Sequence, residues 1–196
     1  MNEKLELRMY GLVPFNISPI QQAIQFGHAV VDYGQKIKMP QSLNKMSLNA
    51  PCIYDDWANN HKTVILLNGG TTNHRNNDDG LPFGSLNNHV LALDENRIDF
   101  ATFNEPDLGD QLTAVVFIVD ERVFNRKKYP NFEDWVIENY GELVKTDYYT
   151  SSYMLAQQIK NSDSKRDKKV YDEWVKLIGG EKNVFLRDFL KKFRLA

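Results

Sequence analysis

A chain of 196 residues with 42% apolar and 12% aromatic content can bury one good core, or one core with an appended subdomain, and is not a disordered polymer. No apolar run approaches the roughly 18 residues of a membrane span, the charged start MNEKLELRMY lacks a signal peptide's apolar stretch, and the single cysteine, Cys52, excludes an internal disulfide or a multi-cysteine metal cluster and points to a reducing cytosol. The formal net charge of −2 hides an asymmetry: residues 160–196 hold 11 basic and 6 acidic side chains, against 13 and 20 in the rest. A basic tail can attract phosphates at long range, although solvated helix faces look the same.

The first element is a strand, predicted from the alternation in Leu5-Glu6-Leu7-Arg8-Met9-Tyr10. Ser18-Pro19-Ile20-Gln21 then starts a helix: Ser18 can cap, Pro19 suits the first helical position and Gln21 can close a capping box. The helix runs to about Tyr33, with Gly34 as a terminator. On it Ile20, Ala23, Ile24, Gly27, Val30 and Val31 make one broad apolar face, while Gln21, Gln25 and His28 form a separate narrow stripe. Residues 36–60 lack a period and read as an irregular insertion with a short helix near Tyr54–Ala58. Thr63–Leu67 reads as a buried strand. A loop rich in Asn, Gly and His follows, from Asn68 to Asn88.

A helix is predicted over His89–Ile98 and a strand over Phe100–Asn104. After the turn Glu105-Pro106-Asp107-Leu108-Gly109-Asp110 comes a buried strand at Thr113–Val119. From Asp120 the texture is helical, with helices over Phe132–Tyr140, Ser152–Lys160, Lys165–Ile178 and Asn183–Phe193, the last two separated by Gly179-Gly180. Phe185, Phe189 and Phe193 form a stripe that would dock on the body of the protein or on a second subunit. The architecture expected is α/β, a three-layer α/β/α domain with a mixed sheet of about four strands over residues 1–128, followed by a helical extension over 129–196.

In such a sheet the carboxyl ends of strands and the start of the following helix form a natural ligand crevice, favourable to anions. Gln21, Gln25 and His28 start there. Ser18, Asn68 at the end of the second strand, and Arg75 in the loop after it complete a candidate ligand-binding set. The chain's histidines and the pair Asp78 and Asp79 fit no compact metal pattern, so neither metal nor other cofactor is expected. Trp57, Trp135 and Trp174 read as core anchors.

The run Gln21-Gln22-Ala23-Ile24-Gln25-Phe26-Gly27-His28-Ala29 resembles the first-helix signature of the class-two peptidyl-tRNA hydrolases, in which a Gln stands three residues before a His-Ala pair. Glu105-Pro106-Asp107 followed by Leu112-Thr113-Ala114-Val115 is similar to the acidic turn and Thr-led last strand of small phage-encoded relatives. The resemblance covers roughly residues 5–120 and leaves 129–196 unmatched. It implies hydrolysis of the ester joining a peptide to tRNA, with counterparts of the family's site at Gln25, His28, Glu105 or Asp107, and Thr113. The family's Lys has no counterpart, Gln21 standing in its place, and the acidic turn is shortened. Losing that positive charge removes several kcal/mol of oxyanion stabilisation while sparing nucleotide binding.

Two functions are therefore expected to compete. One is a hydrolase acting on a tRNA end or a nucleotide second messenger, with Glu105 or Asp107 as general base and His28 as acid or phosphate contact; Arg75, Lys62 or Arg97 would replace the lost charge. The other is a phage protein of the host cytoplasm that sequesters a nucleotide immune signal unchanged. An interaction protein gripping a host protein through its C-terminal helices is a third reading.

Overall fold

The computed structural model describes residues 4–39, 46–72, 84–140 and 152–196. Arg75, with His74, Asp78 and Asp79, lies outside these residues. The chain resolves into two compact units, residues 1–121 with 189–196, and residues 122–188. Sequence texture alone placed a single boundary near 128; the units instead part at 121/122, and the last eight residues rejoin the first unit.

The first unit is built on a four-stranded mixed sheet in the order β2-β1-β4-β3. Strand β1 (Leu7–Val13) runs parallel to β2 (Thr63–Asn68) and antiparallel to β4 (Gln111–Asp120), which pairs antiparallel with β3 (Phe100–Glu105). Both faces of β4 are covered, which is why Leu112 to Val119 is nearly all apolar. One face packs under α1 (Pro19–Lys36) and α2 (Ala50–Asp56), and α2 continues as a π-turn over Trp57–His61. Met9, Val13, Ala114 and Val116 meet Ala29, Tyr33 and Trp57 there. On the other face lie α3 (Ser85–Glu95) and Phe189, whose ring meets Phe117. These are the three layers expected of the sequence.

Gly11 explains how closely α1 sits on β1. A Cβ at this position would come within 2.4 Å of the Phe26 ring and 3.1 Å of Leu66, so the strand approaches the helix where it has no side chain. The capping box at the start of α1 forms as read. The Gln21 amide donates to Ser18 Oγ at 3.3 Å, and the Ser18 amide donates to Gln21 Oε1 at 3.0 Å.

The apolar face of α1 behaves differently from an ordinary amphipathic helix. The residues turned to the sheet are Gln25, Ala29, Tyr33 and, half-buried, Phe26. Ile20, Ala23, Ile24, Gly27 and Val31 point to solvent, and only Val30 of the predicted face is half-buried.

At the free edge of β2 the C-terminal residues return: Leu195 forms an antiparallel bridge with Leu67, the Asn68 amide donates to the Arg194 carbonyl at 2.9 Å, and the Ala196 amide to the Leu66 carbonyl at 3.1 Å. The edge thus meets a partner rather than presenting open hydrogen-bonding groups. Phe189 is buried, and His89 stands edge-on to Phe189 and Phe193. These two rings of the predicted aromatic stripe are occupied within the first unit.

The second unit is helical. It contains most of α4 (Glu121–Phe124), then α5 (Phe132–Tyr140), α6 (Ser152–Asn161), α7 (Lys165–Leu177) and most of α8 (Glu181–Leu190). Its core gathers Phe132, Val136, Ala156, Val170, Trp174 and Ile178. Gly179 and Gly180, at φ 91° and 101°, make the expected break before α8. Among the described residues Arg187 is the largest that is fully buried, at 2% exposure. Its guanidinium donates to the carbonyls of Arg122 (2.6 Å) and Tyr129 (2.8 Å) and to Asn131 Oδ1 (3.2 Å). Burial pushes its pKa down to about 10, and nearby Arg126 pushes the same way.

Candidate functional site

The order of strands brings the carboxyl ends of β1, β2 and β3 to one end of the sheet, because β1 and β3 are both antiparallel to β4. Glu105 closes β3, Thr113 stands near the start of β4, and α1 leaves from the same end. Four residues singled out from the sequence meet here. The Thr113 hydroxyl donates to Gln25 Oε1 at 2.8 Å, and Gln25 Nε2 donates to Glu105 Oε2 at 2.6 Å. The His28 ring lies one helical turn further along α1, stacked on Phe103 with centroids 4.6 Å apart and planes at 21°.

Thr113 reaches this site because β3 and β4 slip register. The pairing jumps from Phe103 with Ala114 to Asn104 with Leu112, leaving Thr113 as the extra residue of a bulge. Regular alternation would turn Thr113 away from the face occupied by Ala114. The bulge instead lets both serve the α1 side: Thr113 is fully buried, and its hydroxyl also lies 3.2 Å from the Phe103 carbonyl.

Glu105 is held on both oxygens. While Oε2 receives Gln25, Oε1 accepts the Asp107 amide at 3.3 Å across the short 3-10 turn Pro106–Leu108. The turn is closed by Gly109 and Asp110, both at left-handed φ (67° and 56°), and by Asn104 Nδ2 donating to the Asp110 carbonyl at 2.9 Å. The Asp107 side chain is exposed and joins neither Gln25 nor Thr113 in a hydrogen bond.

The other candidates fall elsewhere. Ser18 Oγ and Gln21 Oε1 are tied to each other and to the backbone amides of the helix cap. Asn68 ends β2, where its Oδ1 accepts the Gly70 amide at 2.9 Å; three strand spacings, roughly 14 Å, separate that strand from β3. Lys62 precedes β2 and Arg97 precedes β3, so both stand at the opposite end of the sheet from Glu105. Phe103, the platform under His28, carried no signal in the sequence, since an aromatic in a strand is ordinary core material.

Chemically the site presents a half-buried carboxylate, oriented by the buried Gln25 amide and the Thr113 hydroxyl behind it, and the exposed His28 ring on half-buried Phe103. The turn carries Glu105, Asp107 and Asp110, and among the described residues none of the hydrogen bonds to Gln25, Glu105 or Thr113 comes from Lys or Arg. Such a surface suits a ligand that presents hydroxyl or amine donors and a stackable ring better than a bare phosphate. Among the described residues no three of His, Cys, Asp and Glu come together as metal ligands, and no helix is long and apolar enough to cross a membrane. No protein-family model, curated protein or solved structure matches the chain.

Proposed function

We propose that this chain is a diverged, phage-type protein of the class-two peptidyl-tRNA hydrolase kind that binds a nucleotide-containing ligand, a tRNA end or a nucleotide second messenger, through its nucleoside portion. The observation that carries this is the Thr113–Gln25–Glu105 relay beside the His28–Phe103 ring pair, at the carboxyl ends of the parallel strands. A ribose hydroxyl or a base amino group would donate to Glu105, and a base would lie against His28. Binding is favoured over turnover because Gln21, where the resembled family has its Lys, is committed to the helix cap and brings no charge to a developing oxyanion.

The reading is tested by mixing the protein with peptidyl-tRNA and a panel of cyclic and ADP-ribose-type nucleotides, then separating the small molecules before and after heat denaturation. A compound that leaves solution and returns intact on heating supports a binder. Product that appears with the native protein and is lost in Glu105→Gln supports hydrolysis with Glu105 as general base. Every compound staying free and unchanged refutes both forms.

A further inference from the structure

The elements that build the site contain acids but no fixed cation beside them. Residues 19–35 of α1 and residues 100–120, which span β3, its turn and β4, hold no Lys or Arg, whereas Asp32, Glu105, Asp107 and Asp110 do lie there. The next cation along the helix, Lys36, is about two turns beyond His28 and donates to the Phe100 carbonyl at 3.1 Å. Glu105 keeps room for a ligand. An ionised carboxylate has about four lone-pair positions; Gln25 Nε2 takes one on Oε2 and the Asp107 amide one on Oε1, which leaves each oxygen able to accept again. Behind it Gln25 is buried and its Oε1 already accepts Thr113, so the ligand has to supply the protons.

Phe103 and Glu105 alternate onto one face of β3, roughly 7 Å apart, and meet His28 and Gln25, which are one turn apart on α1. That spacing is the reach from the middle of a base to its own ribose hydroxyls. We propose that the ligand end held here is a terminal nucleoside with both ribose hydroxyls free. Its 2′,3′-diol spans the two oxygens of Glu105 while its base lies against His28, and a ribose esterified or phosphorylated at either hydroxyl is turned away. A vicinal diol presents two O–H donors side by side, one for each carboxylate oxygen. In dinucleotide-binding folds the same pairing of an acidic side chain with a ribose hydroxyl selects an unphosphorylated ribose, and a ribose phosphate calls for an Arg instead. Among the described residues no Arg or Lys bonds to Glu105 to play that part. The inference rests on the nucleotide reading above and narrows it. A deacylated tRNA end or the adenosine of an ADP-ribose-type compound fits, whereas peptidyl-tRNA and nucleotides cyclised through a ribose hydroxyl do not.

The test is a series of adenosine probes titrated into the isotope-labelled full chain and followed by NMR, which locates binding as well as measuring it. Adenosine and adenosine 5′-monophosphate, both with a free diol, are expected to shift the amides of His28, Phe103 and Asp107. 2′-Deoxyadenosine and 3′-deoxyadenosine should each bind about tenfold or more weakly than adenosine. Adenosine 2′-monophosphate, 3′-monophosphate and 3′,5′-cyclic monophosphate should bind more weakly still. Glu105→Gln should lose affinity for adenosine and narrow its margin over the 3′-monophosphate; Asp107→Asn, a change at an exposed side chain, should narrow that margin too. Deoxy or phosphorylated probes that bind these same amides as tightly as adenosine overturn the proposal and leave the nucleotide reading standing. A series in which no probe moves these amides overturns both.

Discussion

Replacing Gln25 by Glu would turn the relay into a pair of facing carboxyls. The amide now donates to Glu105 Oε2 at 2.6 Å and accepts from Thr113 at 2.8 Å. With a carboxylate instead, two negative charges would stand about 4 Å apart after relaxing, worth about 4 kcal/mol of repulsion at an effective dielectric constant of about 20. Glu105 is only half-buried, so water screens part of this, and about 2 kcal/mol is a fair expectation. The pair can escape the cost by sharing one proton, as facing carboxyls do. Urea unfolding of wild type and Gln25→Glu should therefore give similar stabilities near pH 5 and a gap of about 2 kcal/mol near pH 8. Adding Glu105→Gln to the same chain exchanges the two groups and should close the gap at the higher pH. A difference that is equal at both pH values, or one that survives the exchange, would refute the assignment of Gln25 as donor to Glu105.

Arg187→Met removes a cation whose bonds are all to carbonyl and amide oxygens; the Arg122 and Tyr129 carbonyls lose that donor, for a loss of about 3 kcal/mol readable by urea unfolding. Gly11→Ala pushes a methyl into the Phe26 ring and should cost about 1–3 kcal/mol in the same assay, whereas Gly27→Ala, with open space in a helix interior, should gain about 0.5–1 kcal/mol. Burial lowers the pKa of His89 and the Lys192 charge adds to it, against a backbone hydrogen bond with Gly69 that raises it. The unfolded chain then takes up the proton first, so stability is full above the ordinary value near 6.5 and falls as pH drops through the lowered one. Thermal melts from pH 8 to pH 5 should show this loss, and His89→Phe should remove that part of the slope.

Local signals were legible where neighbours in sequence are also partners in space. The Ser18–Gln21 capping box, the doubly buried β4 and the Gly179–Gly180 break each need only a few adjacent residues. The convergence of Gln25, His28, Glu105 and Thr113 was also readable, through a resemblance rather than through periodicity. Long-range packing decided the rest. The period of α1 shows an apolar stripe but not which side meets the sheet, and here the sheet takes Gln25 and Tyr33 while Ile20 and Ile24 face out. Nothing in Leu112-Thr113-Ala114 announces a bulge, which depends on how β3 pairs with it. Likewise the return of residues 194–196 to β2 joins segments far apart in sequence.

The position of Arg187 has a bearing on how the first unit assembles. That unit is discontinuous: residues 189–196 must find β2 after the chain has run through 122–188. A loose segment of that length would exact a loop-closure entropy that a short linker avoids, a difference on the order of 2 kcal/mol. Arg187 joins the exit of the second unit to its first residue, Arg122, at 2.6 Å. Once the helical unit has folded, its two chain ends are thus held side by side, and the sheet sees a short connection. The second unit thereby acts as a clasp on the chain's path, and a few well-chosen linker residues in its place should still let the last strand-like segment reach β2.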